Sequence, residues 1–85
     1  MKIVYSPKFA REYRKLPQQI KTLAEQKEKL FRKNPFDPKL KTHKLSGRLR
    51  DFWSFSIDYQ HRIVFELASS ELIYFHAVGT HEVYK

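Results

Sequence analysis

The stretch Phe52-Trp53-Ser54-Phe55-Ser56-Ile57-Asp58-Tyr59-Gln60-His61-Arg62-Ile63-Val64-Phe65-Glu66-Leu67 decides the fold. From Phe52 to Tyr59 it alternates, with Trp53, Phe55, Ile57 and Tyr59 on one face and Phe52, Ser54, Ser56 and Asp58 on the other. That is the period of two of a half-buried strand, and it predicts a polar face open to solvent. From His61 to Leu67 the pattern repeats, with Ile63, Phe65 and Leu67 opposite Arg62, Val64 and Glu66. Ala68-Ser69-Ser70 then turns the chain, and Leu72 to Val78 forms another strand ending at Gly79. Consecutive strands joined by links this short imply an antiparallel meander.

Upstream, residues 35–51 hold two prolines, one glycine and no clean period, the signature of an irregular connection. Before them, Ile20, Leu23, Ala24, Leu30 and Phe31 keep one apolar stripe, broken only by Lys27, until Pro35 forbids further helix. Phe9, Tyr13 and Leu16 recur at helical spacing in a shorter helix, which Ser6 caps and Pro7 opens, and which ends at Leu16-Pro17. Lys2-Ile3-Val4-Tyr5 reads as a first strand. The order β-α-α-β-β-β predicts an α+β fold, a twisted antiparallel sheet with a two-helix hairpin packed on one face and the other face left for function.

At 85 residues the chain has room for one core, so a single domain over residues 1–85 is expected. Its hydrophobic content of 41% and aromatic content of 15% suffice to bury that core. With no cysteine, neither a disulfide framework nor a thiolate metal site is available. Residues 1–5 lack the apolar run of a signal peptide, and no segment approaches the about 18–20 apolar residues of a membrane span. The expectation is a cytoplasmic protein with no membrane partner.

The net charge of +8 predicts a positive field and polyanionic partners. Residues 1–50 hold fifteen basic against four acidic side chains, a surplus of +11, whereas residues 51–85 hold two against five. Besides the terminal Lys85, Arg62 is the sole basic side chain of the second part, set among apolar strands.

The four histidines, His43, His61, His76 and His81, form no HxxxH pair, and the acidic residues are scattered singly, so no metal site or cofactor is expected. Gly47 and Gly79 are the only glycines, too few for a phosphate cradle. What remains is Arg62 with His61 at the start of one strand, His81 just after the last, and Tyr84 three residues beyond. Because neighbouring strands run oppositely, Arg62 and His81 are expected at the same end of the sheet. A guanidinium holding a phosphate beside an imidazole or phenol that moves a proton suits phosphodiester cleavage. Equally, Arg62 pairs with Asp58 or Glu66, His76 packs beside Tyr74, and Tyr84 anchors the tail.

On these residues the chain resembles the RelE/ParE superfamily of bacterial type II toxins, in particular its YoeB-like and YafQ-like messenger-RNA interferases. The resemblance spans nearly the whole chain. It is carried by His43-Lys44-Leu45-Ser46-Gly47, by Phe52-Trp53-Ser54 with Ile57, by His61-Arg62-Ile63-Val64-Phe65, and by Val78-Gly79-Thr80-His81 with Tyr84. It implies an endoribonuclease that needs no cofactor or metal and cleaves mRNA, commonly at the A site of the 70S ribosome, by attack of a ribose 2′-hydroxyl on its own 3′-phosphate. Arg62 then matches the phosphate-holding arginine, His81 the proton-transferring position, Tyr84 the terminal aromatic and His43 a histidine of the YafQ-like branch. Residues 38–50 lack the glutamate that YoeB-like members use as a base, and Ser54, Ser56 and Gln60 stand where YafQ-like members carry acidic and histidine side chains. That leaves His43 as the candidate base. RNA and ribosome contact falls to Lys8, Arg11, Arg14, Lys21, Lys29, Lys41, Lys44, Arg48, Arg50 and His61, whose positive charge suits phosphates. The resemblance also implies a cognate acidic antitoxin. The alternatives are a ParE-like toxin acting on DNA gyrase and a basic RNA-binding module without chemistry.

Overall fold

The computed structural model describes residues 1–84, with side chains through Val83. In chain order it contains β1 (Lys2–Tyr5), α1 (Pro7–Arg14), α2 (Gln18–Lys33), β2 (His43–Lys44), β3 (Trp53–Ser56), β4 (Arg62–Leu67) and β5 (Leu72–Gly79), with 3₁₀ turns at Pro38–Leu40, Gly47–Leu49 and His81–Tyr84. The helices start and stop where local chemistry dictates. Ser6 Oγ accepts the Phe9 N–H at 2.9 Å and Pro7 opens α1, while α2 ends at Lys33, just before Asn34-Pro35. Gly47, at φ +66°, supplies the left-handed step of the Leu45-Ser46-Gly47 turn.

The sheet has five strands in the order β1-β5-β4-β3-β2. The meander of β2 to β5 is antiparallel as expected, but β1 joins it parallel, pairing Lys2 with Leu72 through Tyr5 with Phe75. A parallel partner follows from the helical hairpin, which carries the chain back over the sheet before β2. The segment read as an irregular connection is also more ordered than expected, since His43 and Lys44 pair with Ser54 and Trp53.

Beyond Phe75, β5 has no strand on its β1 side, and α1 completes the hydrogen bonding there. Ser6 Oγ donates to the His76 carbonyl at 3.0 Å, and Glu12 Oε1 accepts the Val78 N–H at 3.0 Å. The same stretch carries a bulge, because Val64 faces Ala77 whereas Phe65 faces Phe75, which leaves His76 as the extra residue.

Both helices pack on one face of the sheet, around phenylalanine. Phe31 of α2 is 0% exposed and lies 4.8 Å from Phe55, 4.9 Å from Phe65 and 5.4 Å from Phe75, centroid to centroid. Truncating a buried ring of this kind costs about 3–5 kcal/mol. That is a large share of the roughly 4–13 kcal/mol expected for a chain of this length.

Two expectations for the second strand fail. Ser54 and Ser56 are 0% and 8% exposed, so the polar face of β3 is closed over rather than open. Tyr59 does not continue the inner row, because β3 ends at Ser56; it stands in the following turn, 89% exposed. A hairpin of four-residue strand and tight turn leaves no further ladder to hold Tyr59 inward.

Candidate active site

Register fixes the site. Across the second face, away from the helices, His43 pairs with Ser54 and Ser54 with Val64, while one step along Ser56 pairs with Arg62 and Arg62 with Gly79. His43, Ser54, Ser56 and Arg62 therefore share one face, and His81 follows two residues after the Arg62 partner. The sheet thus brings Arg62 and the start of the His81–Tyr84 turn to the same end.

The Arg62 side chain is half-buried, and one of its nitrogens braces the β3–β4 turn. Nη1 donates to the carbonyls of Asp58 at 2.8 Å and of Tyr59 and His61 at 3.1 Å each. Arg62 pairs with neither the Asp58 carboxylate nor Glu66. Asp58 instead closes the turn, its Oδ1 accepting the Gln60 N–H at 2.9 Å, the His61 N–H at 2.7 Å and the His61 ring at 3.0 Å. Burial pushes the Asp58 carboxyl upward, but the His61 backbone and ring and the Gln60 N–H together hold it below the ordinary carboxylate range. His61 is thus committed to the turn, as half-buried scaffold to Arg62.

His43 is exposed at the sheet edge, its Nδ1 3.1 Å from the Lys41 carbonyl, beside a cavity of about 280 Å³ lined by Lys44, Leu45, Ser46 and Leu49. His81 is exposed, and the Tyr84 side chain lies outside the described residues. Further along β4 and β5, His76 packs beside Tyr74 as expected, 6.2 Å between ring centres, and its Nε2 also lies 3.0 Å from Glu66 Oε1 with Phe52 edge-on at 4.8 Å, a pair not expected from the sequence. The bulge in β5 makes this pair, and no local pattern announces a bulge. Among the described residues no three His, Asp or Glu side chains cluster as metal ligands.

The remaining basic residues divide by element. Lys8, Arg11, Arg14 and Lys29 are exposed on the helices, with Lys8 paired to Glu12 at 2.8 Å; Lys21 is half-buried, 6.0 Å from the Tyr13 ring centre. Lys41, Lys44, Arg48 and Arg50 are exposed along the segment that flanks β2. Among the described residues no helix is long and apolar enough to cross a membrane.

The fold recurs in solved structures of small toxins. YafQ from E. coli strain BL21(DE3) matches with a TM-score of 0.81 at 18% identity, covering 98% of this chain and 96% of that one. A YoeB/ParE toxin from Agrobacterium tumefaciens matches with a TM-score of 0.80 at 20% identity over 95% of this chain and 99% of the other. The toxin in the YoeB–YefM complex from Staphylococcus aureus matches with a TM-score of 0.76 at 20% identity, over 95% and 97% of the two chains. Among curated proteins none matches in sequence. A family model described as the bacterial toxin of a type II toxin–antitoxin system, YafQ, matches residues 1–84, and the chain belongs to that family.

Proposed function

We propose that this toxin is an endoribonuclease that cuts messenger RNA in the A site of the 70S ribosome, with no metal ion in the step. The observation that carries the reading is the register Arg62 opposite Gly79, which brings Arg62 and the turn that begins at His81 to one end of the sheet in a toxin fold. In the reaction a ribose 2′-oxygen attacks the adjacent phosphorus while a base takes its proton. The bond to the 5′-oxygen breaks, and an acid returns a proton to that leaving group. The products are a 2′,3′-cyclic phosphate and a 5′-hydroxyl. Arg62 holds the phosphate through the guanidinium nitrogens other than the one bracing the turn, and stabilises its growing charge. His81 supplies the leaving-group proton, His43 serves as base from the same face as Arg62, and Tyr84 closes the site. The exposed cations of the helices, with Lys44, Arg48 and Arg50 beside β2, bind ribosomal RNA through its phosphates.

A toxin of this kind requires a cognate antitoxin. An apolar groove of about 510 Å³ runs between α1 and α2, lined by Tyr5, Phe9, Tyr13 and Ala24, with Arg14 and Lys21 as well as Glu25 and Glu28 at its edges. It suits an acidic segment that folds as a helix on binding: its apolar floor takes the helix, and the cations elsewhere on the helices attract the acidic charge.

Primer extension on translated messages tests the nuclease: discrete cuts with cyclic or 3′-phosphate ends are expected. Intact messages accompanied by gyrase-dependent DNA breaks would replace this reading with a gyrase toxin. Intact messages, intact DNA and retained RNA binding would leave a binding module.

A further inference from the structure

Beside Arg62, where α2, the 38–41 turn and the β3–β4 turn meet, lies a cavity of about 310 Å³. Lys27, Lys39, Lys41 and Arg62 line it, with Ser56 and the exposed ring of Tyr59. None of the three lysines has an ion-pair partner among the described residues. The single acidic group in the lining, Asp58, is hydrogen-bonded through Oδ1 to His61 and Gln60.

Two of these lysines sit where the fold gains nothing from them. Lys27 stands in the apolar stripe of α2, three residues after Ala24 and four before the buried Phe31, and is itself half-buried. An apolar side chain there would extend the core, whereas a lysine covers it only with its methylene stem and leaves an ammonium with no ion-pair partner among the described residues. Lys41 holds φ +53°, a left-handed conformation that Gly or Asn adopts with less strain. A cation placed against local preference at both positions, around one cavity, is what an anionic ligand accounts for.

We infer that this cavity is a second nucleotide subsite, in which Lys27, Lys39 and Lys41 hold a phosphate of single-stranded RNA next to the one at Arg62 and Tyr59 stacks on its base. The assignment rests on the reading of RNA as substrate. Charge alone would serve any polyanion; the exposed tyrosine at the rim favours nucleic acid, since a ring face stacks on any base. Arg62 is shared, so occupation of the subsite sets the strand's register at the phosphate to be cut.

The test is binding of a short 2′-O-methylated single-stranded RNA, which cannot be cut by 2′-hydroxyl attack, to the full chain over a range of salt. The Lys27→Gln, Lys39→Gln, Lys41→Gln triple variant should lower the slope of log affinity against log salt by about 0.7, the share of one single-strand phosphate. Tyr59→Leu should weaken binding by about tenfold on that strand and leave an abasic strand of equal length unaffected, with Tyr59→Phe behaving as the parent. An unchanged salt slope, or an equal loss on both strands, overturns the subsite. Substitutions that abolish binding of a polyglutamate peptide and spare RNA overturn it in favour of a protein partner. Because nothing is cleaved in this assay, the two readings separate: these losses in a chain that never cuts messages keep the subsite and remove the nuclease, and indifferent binding in an active nuclease removes the subsite alone.

Discussion

Gly79 and Val83 approach so closely that a Cβ on Gly79 would lie 2.8 Å from Val83 Cγ1. The contact seats the 3₁₀ turn that begins at His81 against the end of β5, within reach of Arg62. A β-branched side chain has little freedom to withdraw, so Gly79→Ala should push the turn away. Overpacking of this kind costs about 1–3 kcal/mol, and a displacement near 1 Å about a hundredfold in rate. Thermal unfolding and message cleavage measure the two effects. Adding Val83→Ala should restore much of the rate by making room.

Arg62 both braces a turn and, in the proposed reaction, holds a phosphate, and two substitutions separate the roles. Arg62→Lys keeps a donor for the turn carbonyls but loses the planar fork. Cleavage should fall by about 10²–10³, the loss of roughly 2–4 kcal/mol of transition-state stabilisation, with the fold retained. Arg62→Ala should show the same loss and also faster amide exchange at Gln60 and His61. Parent-like cleavage by both variants would remove Arg62 from the chemistry.

The Asp58 carboxyl is held below its ordinary range in the folded chain, so its charge stabilises the fold above about pH 4, where the unfolded carboxyl is also ionised. As pH falls from there toward the lower folded value, the unfolded chain takes up a proton first and that stability is lost. Asp58→Asn keeps an oxygen to accept the turn N–H groups but has no charge. Denaturant titrations should find the parent more stable by a constant margin near neutrality, shrinking below about pH 4. A margin that does not change with pH would assign the whole effect to neutral hydrogen bonding.

Glu12 takes the place of a strand for the Val78 N–H. Glu12→Ala leaves that donor without its partner and should cost about 1–3 kcal/mol. Glu12→Gln, which keeps an acceptor, should cost less. Equal loss in both variants would attribute the effect to the Lys8 pairing instead.

The elements that were legible in the sequence are those built from local signals. Ser6-Pro7 and Asn34-Pro35 bound the helices by capping and ring chemistry, and the alternation around Arg62 set the hairpin whose register places the site. What was hidden depends on residues distant in the chain. The parallel pairing of β1, the burial of Ser54 and Ser56, and the Glu66–His76 pair all arise when separate strands meet, and a period of two cannot say what lies above a face. The cavity beside Arg62 was hidden for the same reason, since α2 and two turns contribute to it. One trace of it was visible: the lysine interrupting an otherwise apolar helix stripe.

The position of β5 bears on how the molecule comes into being. It is the last strand of the chain, yet it lies between β1 and β4. Joining Lys2 to Leu72 closes a loop of most of the polypeptide, a long-range pairing that is slow to form and that nothing local rewards in advance. While residues 72–79 are still unsynthesised, β1 has no partner, β4 has an open edge, and Phe31 lacks one of the three rings that enclose it. A growing chain therefore carries both helices and most of its cations before it has a site. Synthesis itself delays the harm this toxin can do, because the strand that completes the fold also leads into His81, the proton donor of the proposed reaction.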